Sequence, residues 1–118
     1  MGEFGAYIRQ KREQLQKLHP GKFSVRKVAA AIDIESSYLS KIERGIEAPP
    51  GEGTIIAIAT ELDEDADVLL AMAGKVSGDL QKIIRHRPQL FAEVIRQMKD
   101  MPDHAIVRVV REVRDGNW

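Results

Sequence analysis

Cysteine is absent from the sequence, and aromatic residues and long apolar runs are scarce. Without cysteine, the chain of 118 residues can form no disulfide, no thiolate metal site and no cysteine nucleophile. With 5% aromatic residues, a core must be built from Leu, Ile, Val and Ala, which is typical of packed helices. No apolar run approaches the roughly 20 residues that span a bilayer, and the N-terminal segment MGEFGAYIRQ lacks the apolar part of a signal peptide. Secretion and membrane residence are therefore not expected.

A net charge is also absent, because 18 Lys and Arg residues balance 18 Asp and Glu residues. The charges are nevertheless unevenly distributed. Residues 1–48 carry nine basic and six acidic side chains, residues 49–74 carry six acidic and no basic ones, and residues 75–118 again carry nine basic and six acidic ones. A polyanion responds to the face that is turned toward it, so the zero total does not exclude a nucleic-acid partner.

Strand-like alternation is missing, whereas apolar residues recur at helical spacing along the whole chain, which predicts an all-α fold. Five helices are expected in the first part of the chain, at residues 4–18, 24–32, 36–44, 54–62 and 65–73. Proline and glycine separate them, for example at residues 19–21 and 48–51. Beyond a joint at residues 75–78 the helical spacing continues. There Pro88 should open a helix, and Pro102 precedes a valine-rich segment.

Two short helices joined by a tight turn form the helix-turn-helix pattern. Residues 28–34 (VAAAIDI) followed by residues 36–45 (SSYLSKIERG) resemble the core motif of the Cro/C1-type (XRE) family of bacterial and phage repressors, and the similarity covers about residues 4–74. The resemblance implies a five-helix lambda-repressor-like DNA-binding domain in residues 1–74. Residues 75–118 form a helical extension, similar to the tails of some regulators of this type, and we expect it to serve dimerisation because of its apolar residues. It also implies a cytoplasmic, nucleoid-associated protein of bacterial or phage origin.

The resemblance further implies that two helices contact DNA, the second at phosphates and the third at base edges in the major groove. Lys41 is expected to bind guanine O6 or N7, and Arg44 to meet the sugar-phosphate backbone. The full set of expected contacts is Ser24, Val25, Arg26, Lys27, Ser36, Ser37, Tyr38, Ser40, Lys41 and Arg44. Outside this motif, the same serines would indicate only a helix start and the same basic pair only solvated charges.

Several residues depart from the family pattern. Val25 stands where a glutamine commonly helps to hold DNA, so only its backbone amide is available. Asp33 stands at the usual turn glycine and must tolerate the left-handed conformation. Glu35 stands where Ser or Thr often caps the recognition helix, and it brings a negative charge close to DNA. The link at residues 15–23 is longer than usual, so either the first helix is longer or a basic loop touches the DNA backbone.

One further pair is implied by the resemblance, and it is structural. Glu43 resembles the family glutamate that pairs with an arginine of the first helix, which is here Arg12. No catalytic motif accompanies it. The three histidines lie far apart, no glycine-rich phosphate-binding loop is present, and the acidic residues at 61–67 indicate a solvated helix start. We therefore expect no enzyme, no metal and no cofactor.

The tail is too apolar to remain uncovered. We predict a homodimer in which residues 79–114 supply most of the interface, so that two domains read the half-sites of a palindromic operator about 34–36 Å apart. The expected interface residues are Phe91, Val94, Ile95, Met98, Ile106, Val109, Val110 and Val113. Packing of the 91–98 stripe against the first five helices is the alternative. Trp118 is either a docking anchor or a disordered end.

The predicted function is sequence-specific binding of double-stranded DNA by a homodimer that regulates transcription, as a repressor. Two other functions stay open. The chain is alternatively an antitoxin or adaptor whose C-terminal helices bind a protein partner, and full self-association of the tail would leave little apolar surface for that partner. It is also open to interpretation as a nonspecific nucleoid or RNA-binding protein, which would show steep salt dependence with little sequence discrimination.

Overall fold

The structure, a computed structural model, describes residues 3–116. The position of Trp118, and so either role expected of it, lies outside the described residues. Within residues 3–116 the chain forms helices and no strands, which confirms the predicted all-α fold. The helices are α1 (Glu3–Leu18), α2 (Val25–Ala31), α3 (Ser36–Glu43), α4 (Glu52–Glu61), α5 (Ala66–Met72), α6 (Gly78–His86), α7 (Pro88–Met98) and α8 (Asp103–Arg114).

Side chains and glycines at the helix ends explain most of these boundaries. Ser24 caps α2 by accepting a hydrogen bond from the amide of Lys27 at 3.2 Å, and Asp65 caps α5 through the amide of Asp67 at 2.9 Å. Gly45 and Gly74 adopt positive φ angles of 74° and 73° after α3 and α5, where left-handed backbone stops a helix. The sequence therefore predicted these ends correctly.

Helix α4 begins earlier than the predicted residue 54. Its N-cap is Gly51, in extended conformation directly after Pro50, and the helix starts at Glu52. This acidic residue in the first turn complements the positive end of the helix dipole, which favours helical backbone directly after the predicted break at residues 48–51. The loop before it is fixed at one point, because the ammonium group of Lys75 donates a hydrogen bond to the carbonyl oxygen of Pro50 at 2.8 Å.

The chain divides into two compact units, unit 1 (Met1–Ser77) and unit 2 (Gly78–Trp118). Unit 1 has one apolar core to which all of α1–α5 contribute. Its members are at most 3% exposed, and they are Phe4, Ile8, Val28, Ala29, Leu39, Ile42, Ile55, Ile58, Ala59, Leu62, Leu69 and Leu70. Leu18, the last residue of α1, is 73% exposed and lies outside this core.

Unit 2 contrasts with unit 1, because none of the residues in α6, α7 or α8 is buried. The residues expected at a dimer interface are therefore accessible in the single chain. Met98 and Ile106 are half-buried, and the exposed ones are Phe91, Val94, Ile95, Val109, Val110 and Val113. Helices as short as these are marginal in water without packing partners. Unit 2 therefore has exposed apolar side chains that a packing partner would bury.

Candidate nucleic-acid interface

Helices α2 and α3 pack against each other across a tight turn. Asp33 in that turn has a φ of 61°, so the aspartate adopts the left-handed conformation that the usual glycine would supply. Its neighbour Ile34 donates its amide to the carbonyl oxygen of Ala29 at 3.0 Å, which ends α2 and directs the chain into α3. The side chain of Ile34 also packs against the core of unit 1. The turn is therefore held by both backbone and side-chain contacts.

Helix α3 has an inner and an outer face. Leu39, Ile42 and Glu43 are buried against unit 1. On the opposite side, Ser37, Lys41 and Arg44 follow one another at spacings of four and three residues, and all three are exposed. We call these three residues the outer stripe. It presents a hydroxyl and two cations on one accessible line.

Arg12 holds the inner face of α3 in place. Its guanidinium donates to both carboxylate oxygens of Glu43, with Nε–Oε2 at 2.7 Å and Nη2–Oε1 at 2.9 Å. A third hydrogen bond, from Nη1 to the carbonyl oxygen of Phe23 at 3.1 Å, reaches the segment before α2. The hydrogen bond with Glu43 raises the pKa of Arg12. The side chain of Arg12 therefore joins α3 to the segment that leads into α2. Its contact with Glu43 is the ion pair that the resemblance implied.

Gly5 allows α1 to approach the end of α3 closely. A Cβ atom at this position would collide with the carbonyl oxygen of Ile42, and it would lie 3.0 Å from that of Glu43. Gly5 is buried beside Phe4 and Ile8 on the inward face of α1. Only glycine fits between the two helix backbones, so the position of α3 depends on this residue as well as on Arg12.

A family of known domains has this arrangement. The family model described as a helix-turn-helix domain matches residues 3–72, which is more than half of the chain. The chain belongs to the helix-turn-helix domain family. Domains of this kind bind DNA and place their second helix, here α3, in the major groove. No curated protein and no solved structure matches the chain.

Within the helix-turn-helix, the residues expected at DNA differ in how far their side chains are exposed. Four cations are exposed, namely Arg26, Lys27, Lys41 and Arg44. The serine hydroxyls differ, because Ser37 is exposed whereas Ser24, Ser36 and Ser40 are half-buried. Val25 and Tyr38 are half-buried and pack against the core of unit 1. The part of each of these two side chains that packs against the core is therefore not available to contact DNA.

The start of α2 shows what remains available there. The Ser24 hydroxyl accepts the capping hydrogen bond, which leaves its O–H free to donate to a ligand. The Val25 side chain packs against the core, so its backbone amide is the group that remains to meet a ligand. Arg26 and Lys27 border an open concavity of about 530 Å³, which Ser24 and Ser36 also line. Two alanines of α2 and the isoleucine of the turn complete its lining. A concave surface lined by two cations is suited to an anionic ligand.

The cations of this face are not neutralised by the protein. The ion pairs of the described residues are Arg9–Glu13, Lys11–Glu64, Arg12–Glu43, Arg96–Glu93 and Arg114–Asp115. Among the described residues, Arg44 is the one exposed cation of the four whose side chain makes a hydrogen bond, and its acceptor at 3.4 Å is the backbone carbonyl oxygen of Ser40 in α3. Their charge is therefore available to a polyanion.

The long link before α2 is explained by a longer helix. Helix α1 continues to Leu18, and the chain then turns through Gly21, which has a φ of 84°. Phe23 is held at both backbone groups, because Gln16 Oε1 accepts from its amide at 2.7 Å and Arg12 binds its carbonyl. The basic side chains of this link are exposed, and their contact with DNA stays a prediction.

Three contributors to the site were missed in the sequence. The backbone role of Phe23 and the supporting role of Gln16 leave no signal in a single sequence, since both depend on how the link folds back. Gly5 does leave one, because a glycine between two inward apolar residues of a helix often marks a close packing contact.

Among residues 3–116 no group of three or more His, Asp or Glu side chains is placed to hold a metal ion. No helix in that range is long and apolar enough to cross a membrane.

Proposed function

We propose that this chain is a Cro/C1-type (XRE) transcriptional regulator that binds specific sequences of double-stranded DNA as a homodimer and represses transcription by occluding a promoter. The outer stripe of α3 is the observation that carries this proposal. Ser37, Lys41 and Arg44 are exposed on one line, opposite a face fixed by Arg12 and Glu43. A helix that reads DNA needs one face held firmly against its own domain and an opposite face exposed to the bases, because base contacts require side chains at defined positions.

The residues divide into base readers and backbone contacts. Lys41 lies in the middle of the outer stripe, where it reaches the acceptor atoms O6 and N7 of a guanine, and the hydroxyls of Ser36 and Ser37 hydrogen-bond neighbouring bases. Arg44, at the C-terminal end of α3, binds phosphate, as do Arg26 and Lys27 at the rim of the concavity. Tyr38 and Ser40 contact the flanks of the site with the part of each side chain that is accessible.

Two substitutions test the division. Lys41→Ala should weaken binding to the selected operator by about 1–3 kcal/mol and relax the preference at one base position. Arg44→Ala should weaken binding to all duplexes alike and lower the slope of log K against log salt by about one. Arg9→Ala, which removes an exposed cation from α1 of unit 1, is the matched control and should change neither quantity.

The decisive experiment is selection of bound sequences from random duplexes by the full chain, followed by titration of the selected site at several salt concentrations. A palindrome with two half-sites supports both specific readout and two-fold symmetry. Selection of no sequence, with steep salt dependence, would instead establish nonspecific binding and contradict the proposal.

Dimerisation is proposed through unit 2. Its three helices are amphipathic and leave large apolar side chains uncovered, with Leu90 at 65% and Val113 at 61% exposure. Ile83, Leu90, Phe91 and Val94 also line an apolar concavity of about 220 Å³ between α6 and α7. A second copy offers the same apolar surface in return, and a two-fold interface requires such a self-complementary patch.

Sedimentation of the full chain and its variants tests the dimer. Phe91→Asp and Val110→Asp should each produce monomers, because a carboxylate in a buried apolar interface is strongly unfavourable. Leu18→Asp, at an exposed leucine of unit 1, should leave the dimer intact. Intact dimers for both unit 2 variants would contradict the assignment.

The same apolar surface also favours the second candidate function, an antitoxin or adaptor that uses unit 2 to bind a protein partner. Self-association distinguishes the two. A chain that stays monomeric at micromolar concentration, while its unit 2 keeps helical circular dichroism, would favour the partner-binding function over the homodimer.

A further inference from the structure

Glu35 is an anomaly on the face that we propose to meet DNA. It is the N-cap of α3, immediately before the outer stripe, and its side chain is exposed. The carboxylate makes no capping hydrogen bond, and it takes part in none of the ion pairs among the described residues. A negative charge at this place opposes the approach of phosphates.

Stability of the helix does not account for the choice of glutamate. An acidic residue at a helix start complements the helix dipole. Ser, Thr, Asp and Asn are nevertheless the preferred N-caps, because their shorter side chains also accept a hydrogen bond from the first turn. Asp65 does this at the start of α5, and Glu35 does not. The carboxylate oxygens of Glu35 can therefore accept hydrogen bonds from another molecule. They lie at the N-terminal end of α3, which in the proposed complex is the end next to the base edges of the major groove.

The chemistry of base edges determines what such a group accepts. An ionised carboxylate only accepts hydrogen bonds. In the major groove guanine offers two acceptors, thymine offers an acceptor and a methyl group, and adenine offers a donor next to an acceptor, whereas cytosine offers its N4 amino donor alone. We propose that Glu35 is a specificity-determining residue that selects cytosine in each half-site by accepting a hydrogen bond from cytosine N4. This inference rests on the proposed function, since it needs α3 in the major groove.

The position of the cytosine relative to the Lys41 contact follows from helix geometry. Glu35 and Lys41 are six positions apart, which is about 9 Å along a helix at 1.5 Å per residue. Base pairs are spaced about 3.4 Å apart. We therefore expect the selected cytosine and the guanine bound by Lys41 to lie within about three base pairs of each other.

Selection from random duplexes is repeated with Glu35→Gln and Glu35→Ser. The wild-type chain should prefer cytosine at one position of each half-site by about tenfold over adenine. Glutamine keeps the length of the side chain and gains donors that suit adenine, so Glu35→Gln should shift the preference at that position from cytosine to adenine. Glu35→Ser restores a common helix cap and should lose the cytosine preference, which excludes misfolding as the cause.

Glu52→Gln is the matched control, because it removes the same charge from the exposed first turn of α4. It should leave the selected bases unchanged. If Glu35→Gln binds every duplex more tightly but selects the same bases as the wild type, Glu35 acts only through its charge and the inference is overturned. The proposed function fails separately, when the wild type selects no sequence; a selected sequence that Lys41→Ala leaves unaltered would instead make Lys41 a backbone contact.

Discussion

The buried pair of Arg12 and Glu43 provides the sharpest test of how unit 1 is held together. The two residues are 8% and 7% exposed, and the arginine makes two of its three hydrogen bonds to this carboxylate. Arg12→Met keeps much of the apolar stem but leaves the carboxylate buried without a partner. Loss of one partner from a buried pair typically costs about 3–5 kcal/mol, a large share of the roughly 5–15 kcal/mol that stabilises a domain.

The double variant separates the pair from its surroundings. Glu43→Leu alone leaves a buried guanidinium unpaired and should cost a similar amount, so the two single changes should sum to about 6–10 kcal/mol. Arg12→Met combined with Glu43→Leu removes both charges. It should then cost only about 1 kcal/mol, mainly for the lost hydrogen bond to Phe23.

Amide hydrogen exchange in the full chain measures these free energies for unit 1 alone. We expect the amides of Ile55 and Ile58, whose side chains are buried in the core, to exchange slowly enough to report complete unfolding of unit 1. The reasoning would be refuted if Arg12→Met cost less than about 1 kcal/mol, or if the double variant lost the sum of the single losses.

Three further predictions concern unit 1. Gly5→Ala should destabilise it by about 1–3 kcal/mol, since the new methyl meets the carbonyl of Ile42. Gly53→Ala, in open space within α4, should stabilise it by about 0.5–1 kcal/mol; thermal unfolding that shifts both variants in one direction would contradict this pair. Asp33→Gly should raise the urea midpoint, because the left-handed backbone at φ 61° costs an aspartate about 1 kcal/mol, and a lowered midpoint would show that the carboxylate outweighs this strain. The hydrogen bond from the Tyr7 hydroxyl to Glu64 raises the pKa of Tyr7 above its ordinary 10.0, so the folded state holds this proton to a higher pH than the unfolded chain does. The free energy of unfolding should therefore fall as the pH rises past about 10, and Tyr7→Phe should make that fall smaller.

Much of unit 1 was predictable because its signals are local. Caps such as Ser24 and Asp65, the glycine stops and the inward apolar positions specify helices within a few neighbouring residues. Asp33 was predicted to adopt left-handed backbone from its place in the turn, and it does. The predicted start of α4 is two residues late, although the acidic residue of its first turn favours the earlier start.

The contacts that fix the site are harder to predict, because they depend on distant residues meeting in space. Nothing local to Phe23 shows that Arg12 and Gln16 bind its backbone. The division of Tyr38 between core and surface likewise follows from packing rather than from sequence position. In unit 2 the amphipathic spacing predicted the helices, but a single chain does not specify what covers their apolar faces.

The hydrogen bond from Lys75 to Pro50 has a consequence for operator geometry. It anchors the chain beside the α3–α4 loop, and only residues 76 and 77 separate this anchor from α6. Three Cα–Cα steps span at most about 11 Å, so the segment between the Lys75 anchor and α6 has a short reach. In the homodimer that we propose, operators whose half-sites are moved much further apart should then be bound weakly, where a long flexible linker would tolerate them.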